Sequence, residues 1–373
     1  MFSLQDLPYV ITEPIDKASP DKIFVSVVIP CYNEESILKP HLNTVIDYLE
    51  ERNQKYSWEI IIINDGSSDK TGEIAEEFAC VRENIKVIHH PTNLNLGRAL
   101  QNGFRNSSGD VIVVLDVDLS YSVDHIERMI NKLVETFADM VVASPYMKGG
   151  KVTAVPLLRR VMSLWVNKFM RVASQDKYYT YTGMVRAYRS GFIQSLNLKT
   201  KDYEVNPEIM YKAMILRARI VEIPAHLDWT EQNKYSGKRT SGMRIMRGFF
   251  SGIMSGFIFR PYIFFLGLGA TLMALSIYEL VWLLHRTLST MAEVGSTAPD
   301  PQDLFSYSLS LQFQNSPQTF LIGGIAFIVA IQFLSLGFLS LQSKRYFEEL
   351  FHMGTSLKNA KQVRPGKSYS KRA

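Results

Sequence analysis

Only two cysteines, Cys31 and Cys80, occur in the 373 residues. Two thiols with no pairing pattern offer no disulfide framework and fit a reducing compartment. The phosphate-loop pattern GxxxxGK[ST] is absent, which argues against a P-loop nucleotidase, and the absence of GxGxxG argues against a dinucleotide fold of the dehydrogenase type. No internal repeat is present. Residues 1–20 are polar and carry Pro14 and Pro20, without the apolar stretch of a secretory signal. His89, His90, His226, His285 and His352 show no metal-ligand spacing and read as structural or surface residues. Charge of one sign is modest: the net is +5. It gathers near the apolar part of the chain, which favours anionic headgroups or a phosphate-bearing lipid over nucleic acid.

What is present is a hydrophobic share of 46%, unevenly placed. Residues 1–250 read as a soluble α/β enzyme. From 261 onward come two long apolar segments, Pro261–Leu284, with Glu279 as its one charge, and Phe320–Leu341, with none. Each can cross a hydrocarbon core of about 30 Å as a helix. Lys234, Lys238, Arg239, Arg244, Arg247 and Arg260 precede the first. Lys344, Arg345 and a basic tail follow the second, whereas the connecting loop has Arg286 against Glu293, Asp300 and Asp303. By the positive-inside rule both termini and the N-terminal domain face the cytoplasm, in a bacterial inner membrane or the endoplasmic reticulum. The expected organisation is an extension (1–22), a catalytic domain (23–232), a basic juxtamembrane and interfacial segment (233–260), a first span (261–285), a non-cytoplasmic loop (286–319), a second span (320–342) and a basic tail (343–373). Gly267-Leu268-Gly269-Ala270 and Gly323-Gly324, with Glu279 and Gln332, permit helix association and a homo-oligomer.

Within the first 250 residues apolar runs alternate with helical patterns. Strands are expected at Ile23–Ile29, Trp58–Asn64, Ile85–His89, Val111–Leu115 and Met140–Ala143, with helices near 37–52, from Thr71, over Arg98–Asn106 and over 123–137. Ser36 or Asn33 is available to cap the first helix. This alternation predicts a doubly wound, mostly parallel sheet. Three acid-bearing loops follow strands: Tyr32-Asn33-Glu34, Asp65-Gly66-Ser67 and Asp116-Val117-Asp118. In such sheets ligands bind at the carboxyl ends of the strands. Asp116 and Asp118 point the same way if their backbone stays extended. Two carboxylates on one side suit a hard cation that keeps positions open for phosphate oxygens, Mg²⁺ or Mn²⁺. Gly97, at a helix start, would let backbone N–H groups approach a phosphate. Residues 155–172 are amphipathic: Leu157, Val161, Leu164, Trp165, Phe169 and Val172 recur at helical spacing, with Arg160, Ser163, Asn167 and Arg171 on another face. That stretch, and Phe249–Phe259, suit either the headgroup layer or packing against the catalytic domain. Tyr178, Tyr179 and Tyr181 suit either stacking on a sugar or a packed strand edge.

These residues carry a resemblance. Val25-Ser26-Val27-Val28-Ile29-Pro30-Cys31-Tyr32-Asn33-Glu34-Glu35 resembles the opening strand and loop of family 2 glycosyltransferases of the GT-A fold. Asp65-Gly66-Ser67-Ser68-Asp69-Lys70-Thr71 resembles their second motif, Asn93–Gly103 their glycine-rich stretch, Asp116/Asp118 their DxD, and Thr182-Gly183-Met184-Val185-Arg186 a later Gly-Phe-Arg-type segment. With two membrane helices following, the chain looks like a polyprenyl-phosphate glycosyltransferase, the group of the dolichyl-phosphate mannose and glucose synthases. Two departures stand out. Ser120-Tyr121-Ser122 occupies the place of a Gln and two prolines in the mannose synthases, and the QxxRW motif of processive synthases is absent.

The resemblance implies a GT-A nucleotide-sugar-binding domain that moves one sugar, with inversion, from a UDP- or GDP-linked donor to a dolichyl or undecaprenyl phosphate on the cytoplasmic face. Pro30, Tyr32, Glu34, Asp65, Gly97, Asp116 and Val117 would bind the nucleotide sugar, Asp65 accepting from the base. Asp116 and Asp118 would hold Mg²⁺ or Mn²⁺ on the diphosphate. Arg186 would face the acceptor or the diphosphate, with Lys238, Arg239 and Arg244 near the lipid phosphate. Glu204 and Glu208 are the acids expected on the acceptor side and the candidates for a base, although a phosphate monoester with a second pKa of about 6 needs little help to ionise. The competing readings are transfer to another lipid such as a diacylglycerol, and an inactive nucleotide-sugar-binding scaffold.

Overall fold

A computed structural model describes residues 22–174, 178–230, 261–294 and 304–362. The described residues fall into two compact units, one made of those up to 230 together with those from 352 on, the other of those from 261 to 351.

The first unit is built on a seven-stranded sheet. In chain order its strands are β1 (Ile23–Cys31), β2 (Tyr56–Asn64), β3 (Ile85–His89), β4 (Val111–Val114), β5 (Met140–Ser144), β7 (Arg186–Arg189) and β8 (Ile220–Pro224). Their order across the sheet is β3-β2-β1-β4-β7-β5-β8. All neighbours are parallel except β7, which runs antiparallel to both β4 and β5. Ile60–Ile63 and Val111–Val114 are buried on both faces, as β-branched runs in a covered parallel sheet are. Helices α1 (Leu38–Glu50), α2 (Thr71–Val81), α3 (Leu96–Asn106) and α4 (Asp124–Glu135) cover it. Later come α5 (Leu157–Ser174), α6 (Ser190–Ser195) and α7 (Val205–Ile215). A second sheet pairs β6 (Lys151–Thr153) with β9 (His226–Asp228).

Chain order reverses around β1, which has β2 on one side and β4 on the other. That switch point opens a crevice at the carboxyl ends of β1 and β4. Two local expectations are corrected here. Neither Ser36 nor Asn33 caps α1. Asn33 takes a left-handed backbone (φ 57°) and spends its side chain on the next loop, while the Glu34 carbonyl receives the N–H groups of Ile37 and Leu38. The Asp pair is not extended either: β4 ends at Val114, and Asp116–Leu119 forms a turn closed by Leu119 N–H to the Asp116 carbonyl at 3.2 Å, with Leu119 at φ 49°.

The second unit holds α8 (Pro261–Val294), α9 (Leu304–Asn315) and α10 (Pro317–Gln362) as far as Phe351; α8 and α10 are longer than the spans expected, and α9 falls in the expected connecting loop. Pro261–Val294 and Pro317–Phe347 are long and apolar enough to cross a membrane. Small residues close the pair. A Cβ at Gly269 would lie 2.9 Å from Leu334, one at Gly337 2.6 Å from Leu266, and Ser276 donates to the Gly323 carbonyl at 3.0 Å. Gly269 and Gly323 are thus used within the chain, whereas Gly267 and Gly324 meet nothing within 4 Å.

Candidate active site

Hydrogen bonds lace the loops after β1 and β2 together. Asn33 N–H donates to Ser67 Oγ (3.0 Å), Ser68 N–H to Asn33 Oδ1 (2.8 Å), Glu34 N–H to Thr71 Oγ1 (2.8 Å) and Lys70 N–H to Glu35 Oε2 (3.0 Å). Gly66, at φ 67°, lies so close to Thr92 that a Cβ would fall 2.3 Å from its carbonyl carbon. Only glycine fits there. Asp65 is buried beside it and accepts from His90 Nδ1 (2.6 Å) and Leu94 N–H (2.9 Å). Tyr32, 46% exposed, stands at the mouth. Pro30 is still within β1, opposite Ile63.

The turn carrying the aspartates is held from three sides. His41 Nδ1 donates to the Val117 carbonyl (2.8 Å), Ser120 N–H to Asp118 Oδ1 (2.9 Å), and Asp228 N–H of β9 to the Ser120 carbonyl (2.9 Å). Asp116 remains partly open. Its low-dielectric surroundings push its carboxyl well above the ordinary carboxylate range, Asp118 and Glu34 push the same way, and Arg159 opposes them. Ionising Asp116 is therefore disfavoured in this setting, and a cation placed beside it would favour the carboxylate. No group of three or more His, Cys, Asp or Glu side chains suited to a metal occurs among the described residues. Two carboxylates are enough for Mg²⁺ or Mn²⁺ that completes its shell with water and phosphate oxygens, so the donor set fits a cation shared with a diphosphate.

Arg159 is a residue that periodicity missed. It projects from α5, stacks its guanidinium 4.1 Å over the Trp229 ring, and lies within electrostatic reach of Asp116, Asp118 and Tyr203. Its neighbour Arg160 was assigned to a polar face, and nothing local distinguishes the two. Of the two settings its amphipathic pattern suits, α5 keeps most of its apolar face off the catalytic domain: Val166, Asn167 and Met170 are buried, with Asn167 Oδ1 accepting the Tyr181 N–H at 2.7 Å. Leu157 (76% exposed), Leu158, Val161, Leu164 and Trp165 (64%) face outward.

Three expected roles are corrected. Arg186 has no exposed surface; its guanidinium donates to the carbonyls of Tyr181 (2.7 Å) and Asn206 (3.2 Å), so in this conformation it is enclosed within the domain rather than presented to a crevice. Glu208 is buried and committed: its carboxylate accepts from Lys199 N–H (2.9 Å), Thr200 N–H (2.9 Å) and the Lys212 ammonium (2.5 Å). Burial raises its pKa, but Lys212 and these N–H groups outweigh that and hold it below the usual range, the opposite of a base poised near neutrality. Gly97 spends its N–H on the Lys201 carbonyl (2.9 Å), and a Cβ there would lie 2.4 Å from the Thr200 carbonyl oxygen. It serves close packing, not phosphate binding. Glu204 is partly exposed at the start of α7, next to Tyr203. Tyr181 is buried, which removes it as a sugar platform. Lys238, Arg239, Arg244 and Phe249–Phe259 lie outside the described residues.

The family model for Glycosyl transferase family 2 matches residues 26–197, the stretch that holds all three acid-bearing loops. The chain carries a family 2 glycosyltransferase domain. It is 29% identical over 234 residues to a dolichyl-phosphate beta-glucosyltransferase of Trichomonas vaginalis, covering 60% of this chain and 71% of that protein. It is 30% identical over 203 residues to a dolichol-phosphate mannosyltransferase of Pyrococcus furiosus, covering 54% of this chain and 55% of that protein. Among solved structures, glucosyl-3-phosphoglycerate synthase from Mycobacterium tuberculosis, in complex with Mn²⁺, uridine diphosphate and phosphoglyceric acid, is similar at a TM-score of 0.47 and 15% identity, over 63% of this chain and 78% of that one. That likeness is too loose to bear on the site. The glycosyltransferase domain makes this protein a hexosyltransferase with a mostly parallel α/β sheet of the GT-A type, followed by two long apolar helices.

Proposed function

We propose that the enzyme transfers one sugar, with inversion, from a nucleoside-diphosphate sugar to a polyprenyl phosphate at the cytoplasmic face of a membrane. The observation that carries this is the turn that sets Asp116 and Asp118 at the switch point of the sheet, in a chain that also has two membrane-length helices. The similarity to dolichyl-phosphate transferases supports the acceptor class.

In this reading the loops of Tyr32–Glu34 and Asp65 hold the nucleoside, and Asp116 and Asp118 would hold Mg²⁺ or Mn²⁺. The cation would supply positive charge for the departing nucleoside diphosphate. Arg159 fits the acceptor phosphate: it is cationic, within reach of the aspartates, and held rigid against Trp229. A phosphate already ionised near neutrality explains why the loss of Glu208 as a base costs the mechanism nothing. The outward face of α5, apolar with Arg160 and Lys168 beside it, has the composition of a helix seated in the headgroup layer.

The test incubates membranes containing the protein with radiolabelled nucleotide sugars, Mg²⁺ or Mn²⁺, and a polyprenyl phosphate. Label should enter the organic phase in a product labile to mild acid, as a sugar phosphodiester is. A product stable to acid would point to another lipid acceptor. No labelled lipid with any donor would leave a nucleotide-sugar-binding scaffold and end the proposal.

A further inference from the structure

We infer that Asn167 is a positioning residue: with Ser163 it clasps α5 to the loop that follows, and so fixes where α5 carries Arg159. This rests on the reading of Arg159 as the group that meets the acceptor phosphate, and deepens it. Arg159, Ser163 and Asn167 stand on successive turns of α5, which places them along one slanting stripe. Arg159 stacks on Trp229, whose own N–H donates to the Thr153 carbonyl at 3.1 Å. Ser163 Oγ accepts from the Tyr146 hydroxyl at 3.0 Å. Asn167 is buried and uses both ends of its amide. Its Oδ1 accepts the Tyr181 N–H, and its Nδ2 donates to the Ser163 carbonyl (2.9 Å) and to Thr182 Oγ1 (3.2 Å).

The loop at the far end of this clasp is itself fixed. The Glu222 carboxylate of β8 accepts the N–H groups of Tyr179 (2.8 Å) and Thr180 (2.9 Å). Ser144 Oγ of β5 lies 2.7 Å from Thr180 Oγ1, and the enclosed Arg186 guanidinium holds the Tyr181 carbonyl. The sheet thus reaches α5 through Tyr179–Thr182. Apolar packing fixes α5 less, because Leu157, Leu158, Val161, Leu164 and Trp165 face outward and Val166 and Met170 are its buried apolar residues among those described. Apolar contact is also non-directional, whereas a hydrogen bond to an amide sets distance and angle. A slip of one residue would carry Arg159 about 1.5 Å along the helix axis and about 100° around it, away from Trp229. The clasp therefore sets the register in which the guanidinium meets the Asp116–Asp118 side of the crevice.

The experiment is a double-mutant cycle on the full-length protein in detergent, with dolichyl phosphate as acceptor and the nucleotide sugar that labels it. Asn167→Leu keeps the side-chain bulk and suits a helix, and it removes both ends of the amide. Its kcat/KM for dolichyl phosphate should fall by about fivefold or more, the worth of a buried hydrogen bond, while the KM for the nucleotide sugar stays within about twofold. Added to Arg159→Ala, the same substitution should lower kcat/KM by less than about twofold, because the group it positions is gone. An equal loss in both backgrounds, or a loss shared by both substrates, makes Asn167 a structural residue alone and overturns the inference. Ser163→Ala deletes one hydroxyl from the stripe, should show the same non-additivity at about threefold, and decides the matter if the leucine variant fails to fold. Arg159→Ala transferring as fast as wild type overturns the reading of Arg159, and this inference with it. If no donor labels lipid in the wild type, the transferase reading fails and hydrogen exchange judges the clasp by itself. Amides 159–166 should then exchange about tenfold or more faster in Asn167→Leu, and unchanged exchange overturns the inference.

Discussion

Replacing Glu208 by glutamine separates a catalytic base from a structural anchor. Glu208 and Lys212 form an ion pair with side chains only 4% and 8% exposed, and the carboxylate also takes the N–H groups of Lys199 and Thr200. Glutamine keeps one acceptor oxygen and turns an amide toward a buried ammonium. Removing one partner of a buried pair costs about 3–5 kcal/mol. Lys212 also donates to the Asn197 carbonyl, so the lower end, about 3 kcal/mol, applies. For a unit of this size each kcal/mol is worth about 2–4 °C, which gives a fall in Tm of about 6–12 °C. The folded carboxyl sits below its ordinary value, so its stabilisation is fully present above the unfolded pKa of about 4.3 and is lost as pH falls through the lower folded value. The Tm gap between wild type and Glu208→Gln should therefore be widest near neutrality and close in acid. Sugar transfer, assayed well below the variant's midpoint, should stay within about threefold of wild type. A variant with unchanged Tm and transfer down by about 100-fold or more would refute the structural assignment and return Glu208 to the chemistry.

Three further outcomes follow from the same geometry. Asp116→Asn, which removes one of two facing acids, should lower transfer by about 100-fold or more and raise Tm in EDTA by a degree or so, since the carboxylate is disfavoured there; equal transfer with and without the acid would end the cation assignment. Arg159→Ala should lower transfer to the lipid by about tenfold or more while leaving nucleotide affinity, measured by calorimetry, unchanged. Gly97→Ala should destabilise the protein by about 2 kcal/mol, read as a lower Tm, because its Cβ meets the Thr200–Lys201 backbone. A selective loss of nucleotide binding at unchanged Tm would instead restore Gly97 to the phosphate site.

Most of the sheet was legible because its strands are short apolar runs bounded by turn residues, and period and length decide such segments locally. Ile85–His89 is a strand over the expected residues, and β1, β2, β4 and β5 differ only at their ends. The antiparallel β7 was not legible: Arg186–Arg189 has a charge at each end and becomes a strand because β4 and β5 leave a gap that it fills. The amphipathic stretch was legible as a helix, but its apolar face suited the headgroup layer and the catalytic domain equally, and only the fold turns most of it outward. Apolar residues ordinarily mark the buried side, and here the buried side is Val166, Asn167 and Met170.

The sequence by itself determined the first five strands of the large sheet, the three acid-bearing loops, the Asp116–Asp118 pair and the two apolar helices, since each depends on neighbours a few residues away. The tertiary structure alone decided which charged side chains are enclosed and which stand near the Asp116–Asp118 turn. Arg186 and Glu208 carry the charges that suggest chemistry, yet both are enclosed by their own surroundings, whereas Arg159 and His90 had no local mark and were brought to the site by the packing of α5 and the return of β3. Burial and hydrogen-bond saturation are properties of the whole assembly of elements, and no window of sequence contains them.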